Sequence, residues 1–339
     1  MPKHWLSIHI FYYGDQNALL LHAIAPLIEQ LREQGLLQRW FFIKYWVEGF
    51  HLRVRLLPAP DADPDQVQQR AKAAVARYMQ EHPAFYHPDE ENVAQGKELF
   101  VAEYGEATWA EVYGQTGFMP LRPNNTFAFL PYEPEYERYG GSEEALELAE
   151  WHFEHSSDTV IHLLREANTN VSSILLGWSV QLMLAYFYAL FESDRKVLVT
   201  LNLYMTHWKR FHPLASSQEE QFPQRYEQMA PALRQRVGKI RDYMLARTEP
   251  ASSRLTHLEQ TWKDHLVELR QRIADLYQAK KITVAPSWPK SGEDYSLDEL
   301  LLYLQTSYTH MTNNRLGVQI PQEIYVAYLL KRTLEDLVI

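Results

Sequence analysis

The spacing of hydrophobic positions changes along the chain, and the change divides it. Residues 5–13, WLSIHIFYY, are aromatic and β-branched and predict a strand near the start of the chain. Asp15 then predicts a helix cap, followed by an apolar stripe through Leu20, Ile24, Leu27 and Leu31, a kink at Pro26 and a stop at Gly35. QRWFFIKYW and HLRVRLL flank VEGF and predict a hairpin with a glycine-containing connection. Asp63 and Pro64 predict a further helix start, striped by Val67, Ala71, Ala74 and Tyr78. Residues 83–125 carry turn signals with little periodicity and read as irregular, and TFAFLPY at 126–132 predicts a short strand.

From Ser142 onward the period is helical: 142–167, 171–191, 195–210, 221–247, 252–281, 297–315 and 321–337. The order strand, helix, strand, strand, helix predicts a ferredoxin-like β-sheet unit over 1–141. The expected fold class is α+β, with that unit packed against a mostly helical part, 142–339, as one module. One helix tests the reading, because residues 171–191 run without a charge and reach the length of a membrane span. Ser172, Ser173, Gly177, Ser179 and Gln181 dilute it, and the mean hydropathy of -0.38 favours a buried central helix.

Charge and composition narrow the chemistry. The formal net charge of -10 argues against broad nucleic-acid binding, so any anion recognition must be local. No cysteine exists to form a disulfide or a thiolate metal site. The first residues show no secretory signal, and a cytoplasmic location is the expectation. No Gly-rich phosphate loop, G-x-S-x-G elbow or dinucleotide fingerprint is present, and no cofactor is called for. His152 and His155 lie three apart in WHFEH without a placed carboxylate, and DEEN at 89–92 reads as a solvated loop, so no metal site is assigned.

Three stretches remain. In WVEGFHLRVRLLP, His51, Arg53 and Arg55 share one strand face while Leu52, Val54 and Leu56 share the other. The alternation fits a solvated amphipathic strand, and it also fits a row of guanidinium forks aimed at a carboxylate or enolate. In PEYERYGG, Glu135 and Arg138 lie three apart, as a surface pair or as a carboxylate that orients an arginine. In SLDELLLYLQTSYTHMTNNRLG, Ser296 and Glu299 form a capping box. Leu297, Leu300, Leu301, Leu304, Tyr308 and Met311 make the stripe of that helix. Tyr303, Thr306, Ser307, His310, Asn313 and Asn314 fall on a polar side. His310 there is a solvated side chain or a general acid or base.

Taken together, W..IHIFY, HLRVRL, EYERYGG and HMTNNRLG resemble the glutamate-elimination domain of class I lanthipeptide dehydratases, which also occurs as a stand-alone protein in thiopeptide-type bacteriocin pathways. The resemblance covers nearly the whole chain in order. It implies a lyase that eliminates glutamate from glutamylated Ser or Thr of a precursor peptide, leaving dehydroalanine or dehydrobutyrine. The family's elimination residues fall on Arg53, Arg55, Glu135, Arg138 and His310, with His51 and Asn314 beside them as substrate-binding positions. The partners implied are the glutamylated peptide and a separate glutamylation-domain protein. Neither direct nucleic-acid contact nor a membrane is implied, and a homodimer is compatible with the reading. Relatives that form pyridine rings by a formal [4+2] cycloaddition share the fold without needing this residue set, and a non-catalytic peptide-binding scaffold is the third alternative.

Overall fold

The computed structural model describes residues 4–86, 90–166, 172–246, 256–285 and 294–338. They form two compact units, Met1–Glu133 with Val160–Ala167, and Pro134–Thr159 with Asn168–Ile339, so residues 134–141 group with the helical unit.

The first unit is built on β1 (Leu6–Phe11), β2 (Leu37–Tyr45), β3 (His51–Pro58) and β4 (Thr126–Phe129). Asp15 caps α1 (Gln16–Leu19) by accepting from the N–H groups of Asn17 and Ala18. A π-helical turn, Leu20–Ile24, leads into α2 (Ala25–Glu33), with the Ala25 N–H bonded to Leu20 O. Pro26 has no N–H to donate, and the irregularity expected there takes the form of this π turn. Asp63 caps α3 (Pro64–Glu81) as its sequence predicts.

The reading of 83–125 as irregular is overturned by α4 (Glu90–Tyr104) and α5 (Glu106–Tyr113). Their buried residues Phe100, Trp109 and Tyr113 join Met119 in a small cluster of their own, so neither helix needs the long stripe that a sequence pattern reveals. Residues 90–92 of DEEN begin α4, and 87–89 lie outside the described residues.

The strand order is β2-β3-β1-β4, antiparallel throughout, which with the crossing helices is the ferredoxin-like arrangement. Register assigns each face. Ile8, Ile10, Phe42, Leu52, Val54 and Leu56 share one side and are fully buried core. Ser7, His9, Phe11, His51, Arg53, Arg55, Phe41 and Tyr45 share the other.

The second unit opens with a 3-10 turn, Glu137–Tyr139, and continues through α6 (Glu143–Glu166), whose last residues count with the first unit. Then follow α7 (Ser172–Phe191), α8 (Asp194–Phe211), α9 (Ser216–Glu219), α10 (Phe222–Leu245), α11 (His257–Gln278), α12 (Leu297–Leu316) and α13 (Ile320–Val338). The uncharged α7 packs against α8, α10, α11, α12 and α13. Among the described residues it alone is long and apolar enough to cross a membrane, and 61% of its apolar window is buried within the protein.

Candidate functional site

In the first unit the antiparallel register sets Ser7 opposite Arg55 and His9 opposite Arg53. Directly opposed and diagonal side chains on one face are within reach of one another, and Arg55 bonds both its opposite, Ser7, and its diagonal neighbour, His9. Arg55 Nη1 donates to Ser7 Oγ and to His9 Nε2, the latter at 3.2 Å. Arg53 Nε donates to His51 Nε2 at 3.1 Å, and its guanidinium lies 3.3 Å over the Tyr45 ring. His51 Nδ1 donates in turn to Gly49 O at 2.7 Å, so both its ring nitrogens are engaged within the protein.

This face is not a solvated one: Arg55 is 4% exposed, His51 1% and His9 6%. A guanidinium only donates, so an imidazole nitrogen facing it must accept, and each ring must be neutral. Burial first, and then the charges of Arg53 and Arg55, lower His9 to about 2 and His51 to about 3. Burial and its neighbour Arg53 lower Arg55 only to about 10, so it stays cationic at neutral pH. Its Nε is buried without a hydrogen-bond partner.

In the second unit, EYERYGG forms the 3-10 turn and the reversal into α6. Gly140 holds a left-handed φ of 110°, and a Cβ there would meet Ile282 Cγ1 at 2.5 Å, which accounts for glycine at this point. Glu135 Oε2 accepts from Arg138 Nη1 at 3.1 Å, and Arg138 Nε donates to Ser307 Oγ at 3.3 Å. Ser307 lies three residues before His310 on α12, so the fold brings Arg138 to the helix turn that precedes the histidine. Tyr303 fixes the turn from the same helix, donating to Glu137 O at 2.7 Å.

His310 is 16% exposed and faces a residue that its own stretch does not contain: its Nδ1 lies 2.8 Å from Oε1 of Glu323, which is fully buried. Oε2 of Glu323 accepts from the Tyr204 hydroxyl and from Asn313 Nδ2 at 3.3 Å, while Asn313 Oδ1 accepts from Ser179 at 2.8 Å. With the carboxylate as acceptor, Nδ1 carries a proton, and Nε2 is the ring nitrogen that lies outside this hydrogen bond. Burial and Glu323 hold Tyr204 well above the usual phenol range, so it remains a donor. The Trp208 ring lies 4.5 Å from His310. Next to it on α8, His207 is lowered to about 4, by desolvation first and then by Arg138 and His310.

The structure therefore brings His51, Arg53 and Arg55 together on β3, and Glu135, Arg138 and His310 together in the helical unit. Asn314 is half-buried one turn beyond His310. Asn313, expected on a polar face, is buried in the Glu323 network instead.

Sequence reasoning missed Ser7, His9, Tyr204 and Glu323. The signal for Glu323 was an acid in line with the apolar positions Ala327 and Leu330 of the last helix, where a solvated residue has no place. It also passed over Arg315 within HMTNNR, which is fully buried on the Phe153 ring at 4.7 Å and donates to Ser157 and to Met311 O. A separate buried pair, His152 and His265, shares a 2.8 Å hydrogen bond, and burial lowers both far below the usual histidine range. Among the described residues no group of three or more His, Cys, Asp and Glu is placed to hold a metal ion.

A ferredoxin-like sheet with an arginine-bearing face, joined in sequence to a helical unit that carries a carboxylate-anchored histidine, defines an α+β protein. The chain belongs to the family of lantibiotic biosynthesis dehydratase C-terminal domains, whose profile matches residues 5–334. Among solved structures it is similar to the pyridine synthase TbtD from thiomuracin biosynthesis, with TM-score 0.72 and 18% identity over 98% of both chains. TsrL gives TM-score 0.68 and 17% identity, over 98% of this chain and 95% of that one. The tRNA-dependent lantibiotic dehydratase MibB from Microbispora sp. 107891 gives 0.53 and 20%, over 98% of this chain but 28% of MibB. At these identities the likeness is one of fold. A comparison with curated proteins found no match.

Proposed function

We propose that this chain is the elimination component of a split peptide dehydratase, a lyase acting on glutamylated Ser or Thr of a ribosomal precursor peptide delivered by a separate glutamylating protein. The observation that carries the reading is Arg55, a charged guanidinium 4% exposed whose hydrogen bonds among the described residues go to the neutral Ser7 and His9 and whose Nε has no partner. A buried cation without a carboxylate is costly, and a ligand anion removes the cost.

The reaction asks for what the two units hold. Removing the Cα proton builds negative charge on the adjoining carbonyl oxygen; the Cβ–O bond then breaks, the Cα–Cβ double bond forms and glutamate leaves as a carboxylate. Arg53 and Arg55 stabilise the enolate oxygen and the leaving carboxylate. Arg138, oriented by Glu135, holds the glutamyl group, and His310 transfers the proton through the Nε2 that Glu323 leaves available. His51 acts through Arg53, and Asn314 contributes a polar contact to the peptide.

The test is mass spectrometry of a glutamylated Ser peptide bearing its leader, incubated with the purified chain. Release of glutamate with formation of dehydroalanine supports the lyase, and an unchanged mass after prolonged incubation overturns it. The full-length match to a pyridine synthase fold favours a second reading, cycloaddition between two dehydroalanines. A peptide already carrying both residues separates the two, since only a cycloaddition enzyme converts it.

A further inference from the structure

We propose that His9 and Ser7 are positioning residues for Arg55: neutral acceptors that fix its guanidinium without discharging it, leaving the Nε–H and Nη2–H edge aimed at a carboxylate or enolate oxygen of the substrate. The inference rests on the elimination reading and assigns roles to two residues of β1 that lie outside every motif of the arginine strand.

The chemistry follows from atom types. Nη1 is the guanidinium nitrogen on the side of Cδ, and it is the one held, by Ser7 Oγ and by His9 Nε2 at 3.2 Å. The opposite edge, Nε–H with Nη2–H, is the side-on fork that matches the two oxygens of a carboxylate. On that edge Nε is buried and has no hydrogen-bond partner. An orphaned, buried donor in a charged group is costly, and an oxygen brought by a ligand would satisfy it.

Several arginines of this chain are fixed by acids: Arg241 bonds Asp194, Arg236 bonds Glu259 and Arg122 bonds Glu48. The fully buried Arg315, like Arg55, is held by neutral atoms, Ser157 Oγ and Met311 O. A carboxylate at position 9 would hold Arg55 equally well, but it would cancel the charge that a substrate anion needs. Glu133 acts on Arg55 through space, without an ion pair, and the Tyr132 ring lies 5.2 Å from the guanidinium carbon. The stacking of His9 on His51, with centroids 5.2 Å apart, braces the imidazole that does the holding.

The experiment uses the full chain with three substitutions, His9→Gln, His9→Glu and His9→Leu, each checked for folding by circular dichroism. Glutamine carries a neutral acceptor to the place of Nε2, so H9Q retains elimination near the wild-type rate. H9E keeps the hydrogen bond and loses the free charge, and its kcat/KM falls on the order of 10²-fold. H9L loses the hydrogen bond and falls comparably. Should H9L not fold, Ser7→Ala takes its place, with a smaller loss expected because His9 remains.

A second readout does not depend on activity. Glutarate is titrated against the 15N-labelled chain, and the Arg55 Nε–H resonance is followed. It shifts on glutarate addition in the wild type and in H9Q, and it does not respond in H9E. An H9E variant with wild-type elimination and a wild-type glutarate response overturns the proposal while leaving the lyase reading in place. A glutarate response abolished only in H9E, in a chain that eliminates nothing, sustains the proposal and removes the lyase reading instead.

Discussion

Arg55 and His310 are held in opposite ways. On the sheet face the guanidinium is fixed by a serine and a neutral imidazole, its charge intact and one donor orphaned. In the helical unit the imidazole is fixed by a buried carboxylate, which is itself bonded by a tyrosine and an asparagine. Under the proposed function, the difference follows from what each group would be asked to do. A group that must bind an anion is held by neutral atoms so that its charge stays available. A group that must pass a proton is held by an acceptor that fixes its tautomer and steadies its charged form.

The largest test of the contrast removes the group proposed to transfer the proton. His310→Ala should lower elimination about 10²- to 10⁴-fold, the usual contribution of one positioned acid or base, while the fold persists. Glutamylated peptide should accumulate when the glutamylating partner is supplied, and rates within a few-fold of wild type would exclude the assigned role.

Arg55→Met separates stability from function. Loss of one preorganised donor should cost about 10²- to 10³-fold in rate. The thermal midpoint should hold or rise, because an apolar side chain replaces a buried cation that has no carboxylate. A clear fall in Tm would instead make Arg55 a structural residue.

Glu323→Gln should act on both quantities. Three donors converge on the carboxylate, and an amide offers one oxygen and two further donors, so the variant should lose about 1–3 kcal/mol of stability. Ring 15N shifts of His310 should show loss of the single Nδ1–H tautomer. Unchanged shifts would mean that Glu323 does not set it.

Acid should weaken both regions alike. His9, at about 2, and His51, at about 3, are lowered in the fold, and His152 and His265 lie far below their ordinary range. The unfolded chain therefore binds the extra protons, so this stability is complete above about pH 6.5 and is lost as pH falls below it. Each such histidine contributes up to about 1.4 kcal/mol per pH unit in that window. Urea unfolding at pH 7 and 5.5 measures the sum, and equal midpoints would contradict the neutral assignment.

The smallest effect belongs to Glu135→Gln. The Glu135 and Arg138 side chains are 53% and 35% exposed, so the pair is worth under about 1 kcal/mol of stability. Any larger consequence should fall on KM for the glutamylated peptide.

Much of this protein was legible in its sequence where structure depends on neighbours in the chain. Asp15, Asp63 and the Ser296 box mark helix starts because a cap reaches only two or three residues ahead. The alternation in HLRVRL placed Arg53 and Arg55 on one face because a strand has period two. The helices at 90–113 stayed hidden because their few apolar residues serve a local cluster.

The tertiary structure alone decided what faces those residues. His9 meets Arg55 through the register of β1 on β3, 46 positions apart, and a one-residue slip would have turned it to the other face. Glu323 reaches His310 because α12 and α13 pack together, and it receives Tyr204 from a helix 119 positions away. Burial of a charge, and the choice of a neutral or an acidic holder for it, is a property of such distant pairs. The strand pattern determined that two arginines point the same way; the fold determined that one of them is buried and unpaired, because only packing removes water from a guanidinium.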